Sequence, residues 1–163
     1  MPSVWVFDTN VLISANLKPK SVPRQAYDKA MSDGTLLRSA QTLEEFVRKI
    51  ALPKFDKYLN ASAKVRAIAE YQASSVVVLV IPTVHASRDE DDNMFLDLAL
   101  ASQADCIVTG DPHLLTLHPF HGIPILSPAD FLKLFWLLFI LFLIPEQLST
   151  INQERFSFNY SSL

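Results

Sequence analysis

The chain has 163 residues, a length that suits one domain, and half of them are apolar, enough for a packed core and too many for a disordered segment. Its formal net charge of −3 excludes a global basic field of the kind that gathers nucleic acid over a whole surface. Cys106 is the only cysteine, so an internal disulfide and a cysteine-built zinc site are both excluded, and His85, His113, His118 and His121 form no HExxH pattern.

Val4-Trp5-Val6-Phe7 opens the chain as a short β-branched and aromatic run, read as a buried strand that stops at Asp8-Thr9-Asn10. In an open α/β sheet, ligands sit beyond the carboxyl ends of the strands, and Asp8 falls there. A cap on the following helix is the structural alternative for this residue. Val11 to Leu17 continues as helix or loop, and Arg24 to Ser32 is helical and stops at Asp33-Gly34. Thr35 to Ser39 is a second strand. A helix over Thr42 to Leu52 carries Leu43, Phe46, Val47 and Ile50 on one face, with Glu44 and Glu45 in its first turn, until Pro53-Lys54-Phe55 breaks it. Ala61 to Ser74 is a helix capped by Asn60. Val76 to Ile81 is a continuous apolar run, expected as a strand buried on both faces.

Asp89-Glu90-Asp91-Asp92 then puts four acids in a row before a helix from Asn93 to Gln103. Acids are favoured at a helix start, but four exceed what a cap uses. The excess is read either as a cation site or as a solvated run. Cys106 to Thr109 is a fourth strand ending at Gly110-Asp111, which repeats the opening pattern of an apolar strand tipped by Asp. Ile123 to Leu126, with Pro124, is a short edge strand. Ser127-Pro128-Ala129-Asp130 starts a last helix with a cap, a first-turn proline and an acid at the third helical position. Strands alternating with helices give an α/β fold with a mainly parallel sheet.

The domain is read as residues 1–133, and residues 134–163 as an extension, apolar from Leu134 to Ile144 and polar after it. Eleven unbroken apolar residues fall short of the about 20 a membrane span needs. The extension is read as an interface, a surface-lying segment or an addition foreign to the domain. The start of the chain is not expected to be a signal peptide, and a cytoplasmic setting away from membranes is expected.

Asp8, Glu45, Asp89, Asp91, Asp92 and Asp111 thus stand at strand tips and helix starts. Carboxylates that converge raise one another's pKa unless a cation neutralises them. Oxygen donors favour Mg²⁺ or Mn²⁺ over zinc, and an ion of this kind can present a water to a phosphodiester. With glycines only at 34, 110 and 122, a Gly-rich phosphate loop is excluded. Eleven of the fourteen Lys and Arg lie between Lys18 and Arg66, which is compatible both with a phosphate-bearing substrate and with a solvated helix surface.

Phe7-Asp8-Thr9-Asn10-Val11-Leu12, Glu45 in the Thr42 to Phe55 segment, Asp89 to Leu96, and Ile107-Val108-Thr109-Gly110-Asp111 resemble, in order and spacing, the motifs of the PIN-domain ribonucleases. The likeness runs over about residues 3 to 132 and is greatest to the VapC-like toxins of toxin–antitoxin pairs. It implies a three-layer α/β/α sandwich, RNA cleavage dependent on Mg²⁺ or Mn²⁺, a cognate antitoxin, and a homodimer or higher homo-oligomer. By matching motif, Asp8, Glu45, Asp92 and Asp111 would be the catalytic and metal-binding acids, with Glu45 preferred to Glu44 by its distance from Pro53-Lys54-Phe55. Asp89 and Asp91 are alternates to Asp92. Asn10 and Thr109 would orient Asp8 and Asp111. Arg24, Arg38, Arg48 and Lys54 are candidate RNA-backbone contacts. Three other readings compete: a haloacid dehalogenase-type phosphatase, a non-catalytic PIN-like module that binds RNA or protein, and a membrane-associated protein led by the apolar 134–144 run. The phosphatase would need an acid where this chain has Asn10.

Overall fold

In the computed structural model, which describes residues 3–134, five parallel strands lie in the order β3-β2-β1-β4-β5. They are β1 (Ser3–Phe7), β2 (Gly34–Arg38), β3 (Ser75–Val77), β4 (Cys106–Val108) and β5 (Ile125–Leu126). The helices are α1 (Thr9–Leu17), α2 (Val22–Asp33), α3 (Ala40–Ile50), α4 (Ala61–Ser74), α5 (Asn93–Ser102) and the short α6 (Pro112–Leu115). A further helix opens at Pro128. Among the described residues, no helix is long and apolar enough to cross a membrane.

Side chains alternate across β1, and the two core layers follow from that alternation. Trp5 and Phe7 point to one face. There Trp5 Nε1 donates to the Ala30 carbonyl of α2 at 3.2 Å, and Phe7 meets Tyr27 edge-on. Val6 points to the other face, where it joins Leu37, Ile107 and Ile125 under Phe95, Leu96 and Leu98 of α5. The result is the three-layer α/β/α arrangement, with every strand parallel.

Several boundaries differ from the sequence reading. The run Val76 to Ile81 is not a strand buried on both faces. Only Ser75–Val77 pairs, at the open edge of the sheet, and Leu79 and Ile81 are 93% and 78% exposed. Val78 and Val80 turn inward onto the α5 layer. Helix α3 starts at Ala40 because Ser39 and Thr42 form a capping box: Ser39 Oγ accepts the Thr42 N–H, and Thr42 Oγ1 accepts the Ser39 N–H. Glu45 is therefore in the second turn, not the first. The inward face of α3 is Thr42, Glu45, Phe46 and Ile50, while Val47 is exposed. Gly34 is extended rather than left-handed and starts β2; a Cβ there would lie 2.3 Å from the Ser3 carbonyl oxygen of the neighbouring strand.

Asn60 caps α4 as expected, its Oδ1 accepting the Ala63 N–H. Lys64 of the same helix donates to the Ala51 and Leu52 carbonyls beyond the end of α3, as well as to Asp56. It thereby fixes the tail of the helix that carries Glu45. The packed unit runs to Phe131, and the 134–163 extension lies outside the described residues beyond Leu134.

Candidate active site

Strands β1 and β4 are central neighbours, with Phe7 level with Val108, so both end at one edge of the sheet. Asp8 follows β1 at once and caps α1, its Oδ1 accepting the Val11 N–H at 2.8 Å. Its Oδ2 accepts a hydrogen bond from the Thr109 hydroxyl. That same hydroxyl oxygen accepts the Asp111 N–H at 2.9 Å. Thr109 is completely buried, so it ties the two acidic strand tips together. Asp111 in turn caps α6 through His113.

Glu45 arrives from α3, which touches both α1 and α5 and so spans the sheet edge. It is 3% exposed. Its Oε2 accepts from the Thr9 hydroxyl, and its Oε1 meets the Lys49 ammonium. Thr9, the neighbour of Asp8, thus couples the first acid to the second. Neither Thr9 nor Lys49 stood out in the sequence, although Lys49 lies one helical turn after Glu45, the spacing at which such side chains meet.

Of the four acids at 89–92, Asp89 caps a 3-10 turn over Glu90–Asp92, and α5 follows from that turn. Asp92 makes no cap bond; its Oδ2 accepts from Ser87 at 3.1 Å and it is half-buried. Asp89 and Asp91 are exposed, and Asp91 pairs with Arg48 at 3.5 Å. The irregular segment before the turn is held by side chains that sequence reasoning missed. Asn93 Oδ1 accepts the Ala86 and Ser87 N–H groups, and Asp97 Oδ1 accepts those of Thr83 and Val84. These two residues, one helical turn apart on α5, set the height at which Asp92 stands.

Asn10 is exposed, and only its backbone N–H bears on Asp8. Among the basic candidates, Arg24 is occupied by Asp28 and Glu70 and lies over the Tyr27 ring, and Arg38 donates to the Ser75 carbonyl. Lys54 lies over Phe55, a contact weak enough to leave its charge available. Arg48, beside Asp91, is the candidate at the rim of the acidic site.

The acids sense one another. Burial pushes the Asp8 carboxyl above its ordinary value, and the Glu45 charge adds to this, against hydrogen bonds from Thr109 and the Val11 and Asn10 amides. Burial likewise pushes Asp92 up to about 6, reinforced by Asp111, Asp89 and Asp8. Lys49 is raised: burial alone would lower it, but Glu45, with Asp91 and Asp8 behind it, outweighs that. The linkage has a definite sign. A carboxyl raised in the folded state binds its proton more tightly there than in the unfolded chain, so the stability it confers is lost as pH rises. Metal-free protein should therefore lose stability between pH 3.8 and about 6, as thermal melts across that range would show.

Among the described residues, no three His, Cys, Asp or Glu side chains stand close enough together to hold a metal ion. The donor set nonetheless suits a hard divalent ion. Asp8 is buried, and among the described residues neither it, Asp92 nor Asp111 is ion-paired to a basic side chain. Asp92 and Asp111 each use one oxygen on a protein donor.

Over the described region, the fold resembles a chain of the crystal structure of VapBC2 from Rickettsia felis, solved bound to a DNA fragment from their promoter. The TM-score is 0.53 and the identity 12%, over 76% of this chain and 98% of that one. In sequence, the chain is 34% identical over 114 residues to an uncharacterized protein of Methanocaldococcus jannaschii, covering 69% of this chain and 73% of that protein. The profile of the PIN domain matches residues 4–113, a span that contains all four acids. With Asp8 and Asp111 joined through one threonine at the tips of adjacent parallel strands, and Glu45 and Asp92 brought to them by helices, the chain belongs to the PIN-domain family.

Proposed function

We propose that the protein is a metal-dependent endoribonuclease that hydrolyses RNA phosphodiester bonds at the edge defined by Asp8 and Asp111. The observation that carries this reading is the buried Asp8 carboxylate, which lies near the Glu45 and Asp92 carboxylates and has no basic side chain ion-paired to it among the described residues. A catalyst with that donor set has one economical use for it, which is to hold a hard cation. Asp8, Asp92, Asp111 and Glu45 would hold Mg²⁺ or Mn²⁺, and the bound ion supplies a water nucleophile and a counter-charge for the leaving oxygen. Thr109 links the Asp8 carboxylate to the Asp111 backbone, and Thr9 holds the Glu45 carboxylate beside Asp8. Arg48, at the rim, is placed to grip a backbone phosphate once it parts from Asp91.

The test is direct. Purified protein is incubated with single-stranded RNA and MnCl2 or MgCl2, with and without EDTA. Cleavage should require the ion and stop with the chelator. Cleavage that persists in excess EDTA would overturn the reading.

We further read the chain as the toxin of a toxin–antitoxin pair that self-associates. The likeness of its fold to a chain of VapBC2 supports the first part. The exposed apolar side chains Val76 and Val77 on the open edge strand, with Leu79 and Ile81 just beyond it, support the second.

A further inference from the structure

The acids of this site are not alike in their surroundings. Among the described residues, Glu45 alone of the four meets a basic group. Its Oε1 receives no well-directed hydrogen bond and lies directly against the Lys49 ammonium. Lys49 stands four residues later on α3, in the Glu-before-Lys order that favours contact, and its side chain is 28% exposed. The ammonium is therefore partly open to solvent, while the carboxylate it meets is buried. An ordinary surface pair looks different: Arg48 and Asp91, just beside it, are each more than half exposed and 3.5 Å apart.

We propose that Lys49 is the site's own counter-ion, holding Glu45 in the metal-free protein and leaving it when a divalent cation is ligated there. This rests on the metal-dependent reading above and adds a regulation of that site. Glu45 Oε2 is committed to Thr9, so Oε1 is the oxygen with capacity to spare. A monovalent and a divalent cation at contact distance from one oxygen repel strongly in a buried pocket. Binding at Glu45 therefore requires the ammonium to swing outward, which its long flexible stem and its partial exposure permit. Lys49 lowers the affinity of the site for the ion and, in the same measure, protects the metal-free fold from a bare buried carboxylate.

The experiment uses the full chain, with Mn²⁺ alone as the probe, titrated calorimetrically at neutral pH into wild type, Lys49→Gln and Lys49→Arg. Thermal melts are run with and without the ion. Lys49→Gln should bind Mn²⁺ about five- to tenfold more tightly. Its melting temperature should be lower than wild type without the ion and level with it when the ion is saturating. Lys49→Arg should behave as wild type. Equal or weaker Mn²⁺ binding by folded Lys49→Gln, or a melting deficit that saturating Mn²⁺ leaves in place, would overturn the proposal. Should Lys49→Gln not fold, nitrogen-15 spectra of the lysine ammonium groups in wild type decide it. The resonance missing from Lys49→Arg should shift on addition of Mg²⁺, and a resonance that stays put overturns the proposal. Wild type that binds no Mn²⁺ at all would remove the metal-dependent reading as well, whereas equal binding by wild type and variant removes this inference alone.

Discussion

Replacing Asp8 by Asn should cut metal-dependent RNA cleavage by about 10³-fold or more while leaving the protein folded and, without metal, at least as stable as wild type. The two halves of that expectation come from the same atoms. Asn is as good a helix cap as Asp, so the bond from the Val11 N–H survives the change. The Asn side-chain NH2 can donate to the Thr109 oxygen, which reverses the direction of that bond without breaking it. What disappears is a buried negative charge that burial and Glu45 both disfavour. Removing it relieves the fold and takes from the site one of its two most buried carboxylates, a proposed ligand of the cation. Stability bought at the expense of activity is the mark of a functional rather than a structural acid. Full activity in folded Asp8→Asn, measured with Mn²⁺ on single-stranded RNA, would show that Asp8 is only a cap.

How much of this could be read in advance depends on whether a feature is local. Asp8 and Asp111 were legible because apolar runs in a parallel sheet all point one way, so acids placed just after two of them share an edge. The Asn60 cap was legible because the cap bonds a residue three positions on. The strand at Val76 was misjudged for the converse reason. An edge strand and a central one differ in how many strands lie beside them, which a run of valines does not encode. The exposure of Val76 and Val77 in the strand, and the in-and-out turn of residues 78–81 beyond it, were hidden because the outward side chains are as apolar as the inward Val78 and Val80. Asn93 and Asp97 were passed over because the acid run ahead of them drew the reading toward charge. Their work is to bind backbone amides up to fourteen residues back in the chain, a long-range task with no periodic signature. Lys49 carried a usable signal, its i+4 spacing from Glu45. That signal acquires meaning only once Ser39 and Thr42 set where α3 begins and thereby turn Glu45 inward.

Phe131→Ala should cost about 3–5 kcal/mol of folding stability, lowering the melting temperature by roughly 10 °C or more. Phe131 is completely buried and meets two rings edge-on, Trp5 at 5.2 Å and Phe7 at 5.7 Å. Such pairs add about 0.5–1.5 kcal/mol each to the cost of losing the buried ring. The helix that presents Phe131 opens with Ser127, whose hydroxyl oxygen accepts the Asp130 N–H, so the side chain arrives from a fixed start. The cavity would open beneath β1, the strand whose tip carries Asp8. Denaturant melts should show the loss, and Phe131→Leu should recover part of it because the cavity is smaller. Leu134→Ala is the control: Leu134 is exposed, and its truncation should change stability by less than about 0.5 kcal/mol. Should Phe131→Ala cost as little as Leu134→Ala, the aromatic layer is not what holds β1 in place. The site would then owe its geometry to the α5 layer alone, through Val6 and Ile107.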